Sequence, residues 1–247
     1  MALSRLFAAS VALVGLACVS PQRADRSAAR VDLGTAYLKE SNAAGAIAVL
    51  QEAARLDSRS WNAWNKLGLA YLAQGAFDES EAAFKRSLRL DPPAEAYNNY
   101  GFMLMKKGEY EAAVAQFERA LEDLTYRRTA LAMSNLGNAL YKLKRYEEAI
   151  VRLSGAIDRA PNMCEPRINR GLSYVELGKR REALDDFEVV IDLCGDSSTG
   201  AYYQAAQLLM ESGDRTAACS YLRKAMGDAG GTQLGVAASD LHARACL

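Results

Sequence analysis

Residues 64–93 read WNKLGLAYLAQGAFDESEAAFKRSLRLDPP, and this stretch decides the fold. In its first half, residues that suit one buried helix face recur at spacings of three and four: Trp64, Leu67, Gly68 and Tyr71. Gly75 ends that helix, and a second stripe of the same period starts at Phe77. Asp91-Pro92-Pro93 stops the second helix, because proline lacks an amide proton and restricts the residue before it. The stretch therefore predicts a helix hairpin.

The same spacing occurs six times along the chain, with a small residue followed twelve positions later by another. The pairs are Gly34/Ala46, Gly68/Ser80, Gly101/Ala113, Gly137/Ala149, Gly171/Ala183 and Ala206/Ala218. A large apolar residue stands four positions after each second member, at Leu50, Phe84, Phe117, Leu153, Phe187 and Leu222. Small residues let two helix backbones approach, and the large ones fill the space between neighbours. The period predicts helix hairpins stacked on copies of themselves.

These residues resemble the tetratricopeptide repeat (TPR), whose pattern of aromatic, Leu-Gly, Tyr, Ala, Phe, Ala and Pro is matched through residues 64–92. The resemblance implies an all-α fold, a right-handed superhelical solenoid of six TPR helix hairpins plus a C-terminal capping helix. The expected units are residues 27–60, 61–93, 94–129, 130–163, 164–198 and 199–232, with the capping helix at 233–247. Two departures from the pattern are Arg170, where leucine is usual, and Ala206 in place of glycine.

The N-terminus has a different character from the repeats. Arg5 precedes an apolar run, Leu6 to Ala17, that is too short to cross a hydrocarbon core of about 30 Å as a helix. Residues 1–17 are therefore interpreted as a secretory signal peptide. Residues 18–26 are expected to be the N-terminus of the processed chain and a structureless tether, because the stretch from Ser20 onward is polar.

The end of the apolar run is similar to the lipobox of bacterial lipoproteins, because small residues precede Cys18. The resemblance implies cleavage before Cys18 and lipidation of that residue, which would anchor the chain in a membrane. Val19 in place of aspartate points, by the sorting rule of such lipoproteins, to the periplasmic face of the outer membrane. The alternative is ordinary signal cleavage nearby, which would leave a protein without a lipid.

Four further cysteines lie in the C-terminal third: Cys164, Cys194, Cys219 and Cys246. An even number in an exported chain suggests disulfide bonds, and four cysteines allow three pairings. Antiparallel helices would bring Cys164 to Cys194 and Cys219 to Cys246, so this pairing is the hypothesis. Free buried thiols are the alternative.

Several functional classes are disfavoured by composition and motifs. Thirty basic and thirty acidic residues give a formal net charge of zero, which argues against nucleic-acid binding. His242 is the only histidine and no C-x-x-C occurs, so no metal site is expected. No nucleophile motif or glycine-rich phosphate loop is present, so we expect no enzyme, no cofactor and no small-molecule substrate.

In TPR arrays the first helix of each unit lines a concave groove, and the resemblance assigns particular positions to it. The predicted partner-binding residues are Val31, Leu38, Asn65, Leu69, Leu72, Asn98, Phe102, Met105, Asn138, Tyr141, Ile168, Leu172 and Val175. They are mostly apolar, with amides between them. Such a groove suits a partner that offers apolar side chains and unpaired backbone groups. The alternative is that part of this stripe packs between helices.

One segment narrows the resemblance. Asn98-Asn99-Tyr100-Gly101, followed by the insertion from Leu124 to Ala130, resembles the third repeat of the type IV pilus pilotins, the PilF/PilW lipoproteins, including those of social gliding motility. The resemblance implies an outer-membrane lipoprotein whose protein partner is the type IV pilus secretin, and which promotes assembly of that channel. The other hypothesis is a lipid-anchored periplasmic scaffold that recruits proteins such as cell-wall hydrolases.

Overall fold

The structure is a computed structural model that describes residues 20–195, 198–227 and 232–246. Within these ranges the chain forms thirteen α-helices and no β-strand. They are α1 (Pro21–Lys39), α2 (Ala43–Leu56), α3 (Trp61–Gln74), α4 (Phe77–Leu88), α5 (Ala94–Lys107), α6 (Tyr110–Leu121), α7 (Thr129–Lys142), α8 (Tyr146–Arg159), α9 (Cys164–Glu176), α10 (Arg180–Cys194), α11 (Thr199–Ser212), α12 (Arg215–Gly227) and α13 (Gln233–Cys246).

The helices stack in chain order as a solenoid. Each helix packs on the next one in the chain. The first helices of neighbouring units are also in contact, for example α1 with α3 and α5 with α7. Such a series of nearest-neighbour contacts is what defines a repeat array. The all-α solenoid predicted from the sequence is confirmed.

The small-large spacing explains the close helix packing. The six large residues predicted to fill the space between helices are fully buried. A methyl group added to Gly137 would lie 2.4 Å from Cγ of Leu153, and one added to Gly68 would lie 2.9 Å from the Phe84 ring. The glycines are therefore needed because the partner side chain occupies the space of a Cβ atom.

The expectation of a structureless tether is wrong for residues 21–26, which form the first turns of α1. Pro21 stands at the start of the helix, where its fixed φ favours helix formation. The helix is held against α2, since the Arg23 guanidinium donates to the Arg55 carbonyl at 3.3 Å and the Ser27 hydroxyl donates to the Ala53 carbonyl at 2.9 Å. Docking on α2 thus orders a polar segment that composition alone makes look like a linker.

The predicted signal peptide (1–17) and the lipidation residue Cys18 lie outside the described residues. Within the described ranges, no helix has the length and apolar character needed to span a bilayer.

Both predicted disulfide bonds lie in the C-terminal part of the chain. Cys164, at the start of α9, is bonded to Cys194 at the end of α10, with 6.7 Å between the Cα atoms. Cys219 of α12 is bonded to Cys246 at the end of α13, with 5.8 Å between the Cα atoms. The second bond fastens the last helix to the array.

Arg170, the departure from the repeat pattern in unit 5, forms an ion pair. Its guanidinium donates to both carboxylate oxygens of Asp186 at 2.7 and 2.8 Å and to the Ser154 hydroxyl at 2.8 Å. The Asp186 side chain is only 5% exposed. A charged residue is therefore tolerated at a usual leucine position because a buried carboxylate pairs with it.

Candidate functional site

The first helices α3, α5, α7 and α9 line a concave cavity of about 530 Å³. A smaller cavity adjoins it between α3 and α5 and shares Leu69, Phe102 and Lys106 with it. We call the two together the groove. Short turns after each first helix, such as the one at Gly108, return the chain, so the inner surface comes mainly from the first helices, with Phe77 and Tyr110 added from the starts of second helices.

One end of the groove is apolar. It is formed by Leu69, Leu72, Phe77, Phe102 and the Lys106 side chain. Phe102 is 38% exposed, and the Lys106 ammonium lies 5.3 Å from the centroid of its ring. This end can take an apolar side chain of a partner, with a cation at its edge.

The other end of the groove is lined by amides from three successive units. Asn99, Asn135 and Asn169 stand at the same position of units 3, 4 and 5, and all three line the cavity together with Asn98, Ser134 and Asn138. Asn99 donates to the Asn65 side-chain oxygen at 3.3 Å, and Asn135 donates to that of Asn98 at 3.1 Å. These bonds hold Asn99 and Asn135 in place, and the remaining donors and acceptors of the row can meet the backbone of an extended segment.

Charged side chains also line the groove. They are Lys106, Arg128, Lys142 and Glu165, so cations outnumber carboxylates. None of the four forms an ion pair with another described residue. The groove therefore favours a partner segment that carries acidic residues beside its apolar ones.

Six of the predicted groove residues line these cavities: Leu69, Leu72, Asn98, Phe102, Met105 and Asn138. Phe102 and Asn138 are reachable from outside, whereas Leu72 and Met105 also pack partly against the core. Asn98 contributes little surface, because it is 3% exposed. Some residues of the first helices thus belong both to the core and to the lining of the groove.

Two predicted groove residues are wrong as contact residues. Val31 is 4% exposed and belongs to the core with Leu67, and Asn65 is fully buried. The first helix of the next unit covers both positions, and Asn65 instead accepts the hydrogen bond from Asn99. A buried side chain at these places supports the stack and cannot touch a partner.

The other five predicted residues line neither cavity. Leu38, Tyr141, Ile168, Leu172 and Val175 are half-buried and pack against the core clusters of their own units. Burial, and after it the Glu176 carboxylate, raises the pKa of the Tyr141 phenol. This outcome fits the alternative that part of the inward stripe packs between helices.

Sequence reasoning missed the polar side chains of the groove, namely Asn99, Lys106, Arg128, Asn135, Glu165 and Asn169. A signal for half of them was present, because asparagine recurs at the sixth position of three successive units. The expected groove was apolar with amides between, which agrees with the α3–α5 end, whereas the charged side chains at the α7–α9 end were not expected.

Three family models, each described as tetratricopeptide repeat, match residues 31–95, 93–162 and 199–227, which together make up more than half of the chain. The chain belongs to the tetratricopeptide repeat proteins. These repeats are binding scaffolds, and their function depends on the surfaces that stacking creates.

Comparison with individual proteins relates the chain to type IV pilus biogenesis proteins. It is 29% identical to the type IV pilus assembly protein PilF of Pseudomonas aeruginosa over 153 residues, 61% of this chain and 60% of PilF. Against human superkiller complex protein 3 it is 32% identical over 36% of this chain and 6% of that protein. The chain thus matches about three fifths of one relative and a small part of the other.

Solved structures show the same fold. A structure of Pseudomonas aeruginosa PilF matches with a TM-score of 0.79 at 20% identity, covering 89% of this chain and 99% of that one. PilW, a widely conserved type IV pilus biogenesis factor, also matches with a TM-score of 0.79 at 20% identity, covering 85% and 97%. Identity at this level supports the fold and no more.

Proposed function

We propose that this protein is an outer-membrane pilotin lipoprotein that binds secretin subunits in its groove and promotes their assembly into the channel for type IV pili, in pilus-dependent motility. The observation that carries the proposal is the groove itself, with an apolar end at Phe102 and an amide row at Asn99, Asn135 and Asn169. Similarity to PilF supports the same process.

The mechanism follows from what an unassembled channel subunit exposes. Strands that are to close into a membrane barrel have apolar faces and unpaired edges until closure, and these are prone to aggregate. The groove offers an apolar end for the side chains and an amide row for the backbone groups. Release needs no nucleotide, because barrel closure satisfies both kinds of group in the product.

In the proposed mechanism, the lipid anchor determines where a bound subunit is delivered. Acylation of Cys18 would hold the groove at the inner leaflet of the outer membrane, so a bound subunit would be delivered where the ring forms. A chain in which Cys18→Ala prevents acylation is expected to lose incorporation of labelled palmitate. In cells that carry this variant, secretin multimers are expected to form poorly even when the repeats of the variant are folded.

The test of the groove uses Phe102→Asp in the full-length protein, because Phe102 is exposed and its loss does not open the core. We expect heat-resistant secretin multimers in membrane extracts to fall at least about tenfold, the effect of losing one central apolar contact. The matched control is Val151→Asp on α8, a side chain that is 66% exposed and lines neither part of the groove.

Normal multimers in the Phe102→Asp strain would contradict binding in the groove. Normal pili together with cell-wall growth defects would instead favour the scaffold that recruits wall hydrolases.

A further inference from the structure

A further cavity, of about 870 Å³, lies outside the groove between α2, α3 and α4. We call it the cleft. Its walls are apolar and aromatic, and are formed by Ala54, Trp64, Leu67, Tyr71 and Ala83. The Trp64 indole donates to the Ser58 carbonyl at 3.1 Å, and the Tyr71 hydroxyl accepts from Gln51 at 2.8 Å, so the two rings are held in place. The cleft is therefore an ordered feature of the surface.

The cleft is open because some of the residues that line it are small. A comparison with the equivalent place between units 2 and 3 shows this. Leu88 stands at the position equivalent to Ala54, and it packs against the core. Arg119, equivalent to Arg86, lies over the Tyr97 ring at 5.8 Å from its centroid. At the corresponding place between units 2 and 3 only a smaller cavity of about 240 Å³ remains, beside Tyr97 and Arg119, whereas Ala54 leaves more space between units 1 and 2.

The rim of the cleft is positively charged. Arg55 and Arg86 line it, together with the single carboxylate of Glu79. Neither arginine forms an ion pair with any other residue in the ranges that the structure describes. An apolar group that carries a carboxylate next to it matches this arrangement.

The loop between α6 and α7 presents such a group. Leu124 is 98% exposed and so touches nothing in its own chain. The preceding Asp123 carboxylate accepts hydrogen bonds from the Thr125 amide at 2.9 Å and hydroxyl at 2.7 Å, and the Tyr126 amide closes the turn on the Asp123 carbonyl at 3.1 Å. The bonds from Thr125 lower the pKa of Asp123, which stays ionised. A single exposed leucine is ordinary on a protein surface. Its neighbouring fixed carboxylate is what makes it complementary to the cleft.

We propose that Leu124 of one copy of this chain enters the cleft of a second copy, with Asp123 placed against Arg55 and Arg86. Because the loop and the cleft are different surfaces, the contact is heterologous and can continue from copy to copy. One side chain in one pocket buries little area, so the association is weak between free molecules. Copies held close together on one membrane or one assembly associate much more, since their effective concentration is high. This self-association does not depend on the groove or on the nature of its partner.

The experiment uses two differently tagged full-length copies expressed in the same cells. One copy carries the photoreactive residue benzoylphenylalanine at position 124, and the other is unmodified. We expect ultraviolet light to produce a cross-linked dimer of the two tags. Mass spectrometry should place the link on the second copy within residues 51–58 or 64–86. The matched control has the photoreactive residue at position 151, which is also exposed and should give no link to the cleft.

Two variants of the unmodified copy sharpen the test. Ala54→Leu fills the cleft as Leu88 does in the next unit, and we expect the dimer yield to fall at least about tenfold. Arg86→Glu reverses a rim charge without changing the core. It should lower the yield, and Asp123→Arg in the copy with the photoreactive residue should restore it.

Thermal unfolding measured by circular dichroism shows whether the Ala54→Leu variant is folded. If it is not, the proposal is tested by the combination of Arg86→Glu and Asp123→Arg. The proposal is overturned by a yield at position 124 no higher than at position 151, or by links to lipid or another protein in place of the second copy. Failure of Arg86→Glu with Asp123→Arg to recover the dimer also overturns it.

Discussion

Units 1 to 4 and units 5 and 6 hold their helix pairs together by different means. In the first four units, a glycine lies against a large buried side chain, as Gly137 does against Leu153. Unit 5 keeps its glycine but has the Arg170–Asp186 pair at a usual leucine position, and unit 6 has Ala206 in place of glycine. Both disulfide bonds are in this C-terminal part.

The difference shows how a repeat array tolerates departures from its own pattern. Because each unit contacts only its neighbours, a weak unit cannot draw stability from distant ones. The end of an array also has one neighbour fewer. Covalent bonds and a buried ion pair strengthen the C-terminal units where the packing pattern is least regular. Three predictions test this interpretation.

The largest effect is expected from Arg170→Leu, which restores the usual residue but leaves the Asp186 carboxylate buried. Arg167 is then the nearest cation, at 3.8 Å, and cannot replace two short hydrogen bonds. The free energy of unfolding should fall by about 3–5 kcal/mol in a urea titration. In the double variant Arg170→Leu/Asp186→Leu, most of the stability should return, because no charge is left buried. Equal losses in the single and double variants would show that the ion pair is not the cause.

The next effect is expected from removing one disulfide bond with Cys164→Ser and Cys194→Ser. The bond closes a segment with a sequence separation of 30 residues. Its loss should cost about 3 to 4 kcal/mol on the chain-entropy model. Hydrogen exchange followed by mass spectrometry should show faster exchange in α9 and α10 and little change in α1 to α6. Uniform acceleration along the chain would contradict the idea of separately held units.

The smallest effect compares two glycines inside helices. Gly137→Ala places a methyl group into Leu153 and should lower the free energy of unfolding by about 1–3 kcal/mol. Gly155→Ala meets only the flexible ends of Met133, at 3.2 Å, and Arg159, at 3.7 Å, and should raise the free energy of unfolding by up to about 1 kcal/mol, since alanine is the better helix former. The two shifts are read from thermal unfolding, and shifts of the same sign would disprove the packing role of Gly137.

The candidate site was less predictable than the fold. Phe102 and Asn138, at the ninth position of their units, line the groove as the sequence suggested, whereas Val31 and Asn65, at the fifth position, are buried although they too were predicted to face inward. Whether such a position is open depends on how closely the first helix of the next unit lies over it. Side chains from two units decide that distance, and it leaves the fifth position buried in each of units 1 to 4.

The charged side chains of the groove were unpredictable for the same reason. Lys106, Arg128 and Glu165 come from α5, the α6–α7 loop and α9, and stacking alone brings them to one cavity. In the sequence each looks like an ordinary solvated charge.

The sequence by itself determined the all-α solenoid, and it favoured one of the three possible pairings of the four C-terminal cysteines as a hypothesis. Both follow from local rules: small residues opposite large ones every twelve positions make hairpins, and antiparallel helices bring chain ends together. Only the tertiary structure decided which inward side chains stay exposed, that residues 21–26 are helical, and that a cleft opens beside Ala54. These features depend on contacts between units, where the size of one side chain sets the space left for another.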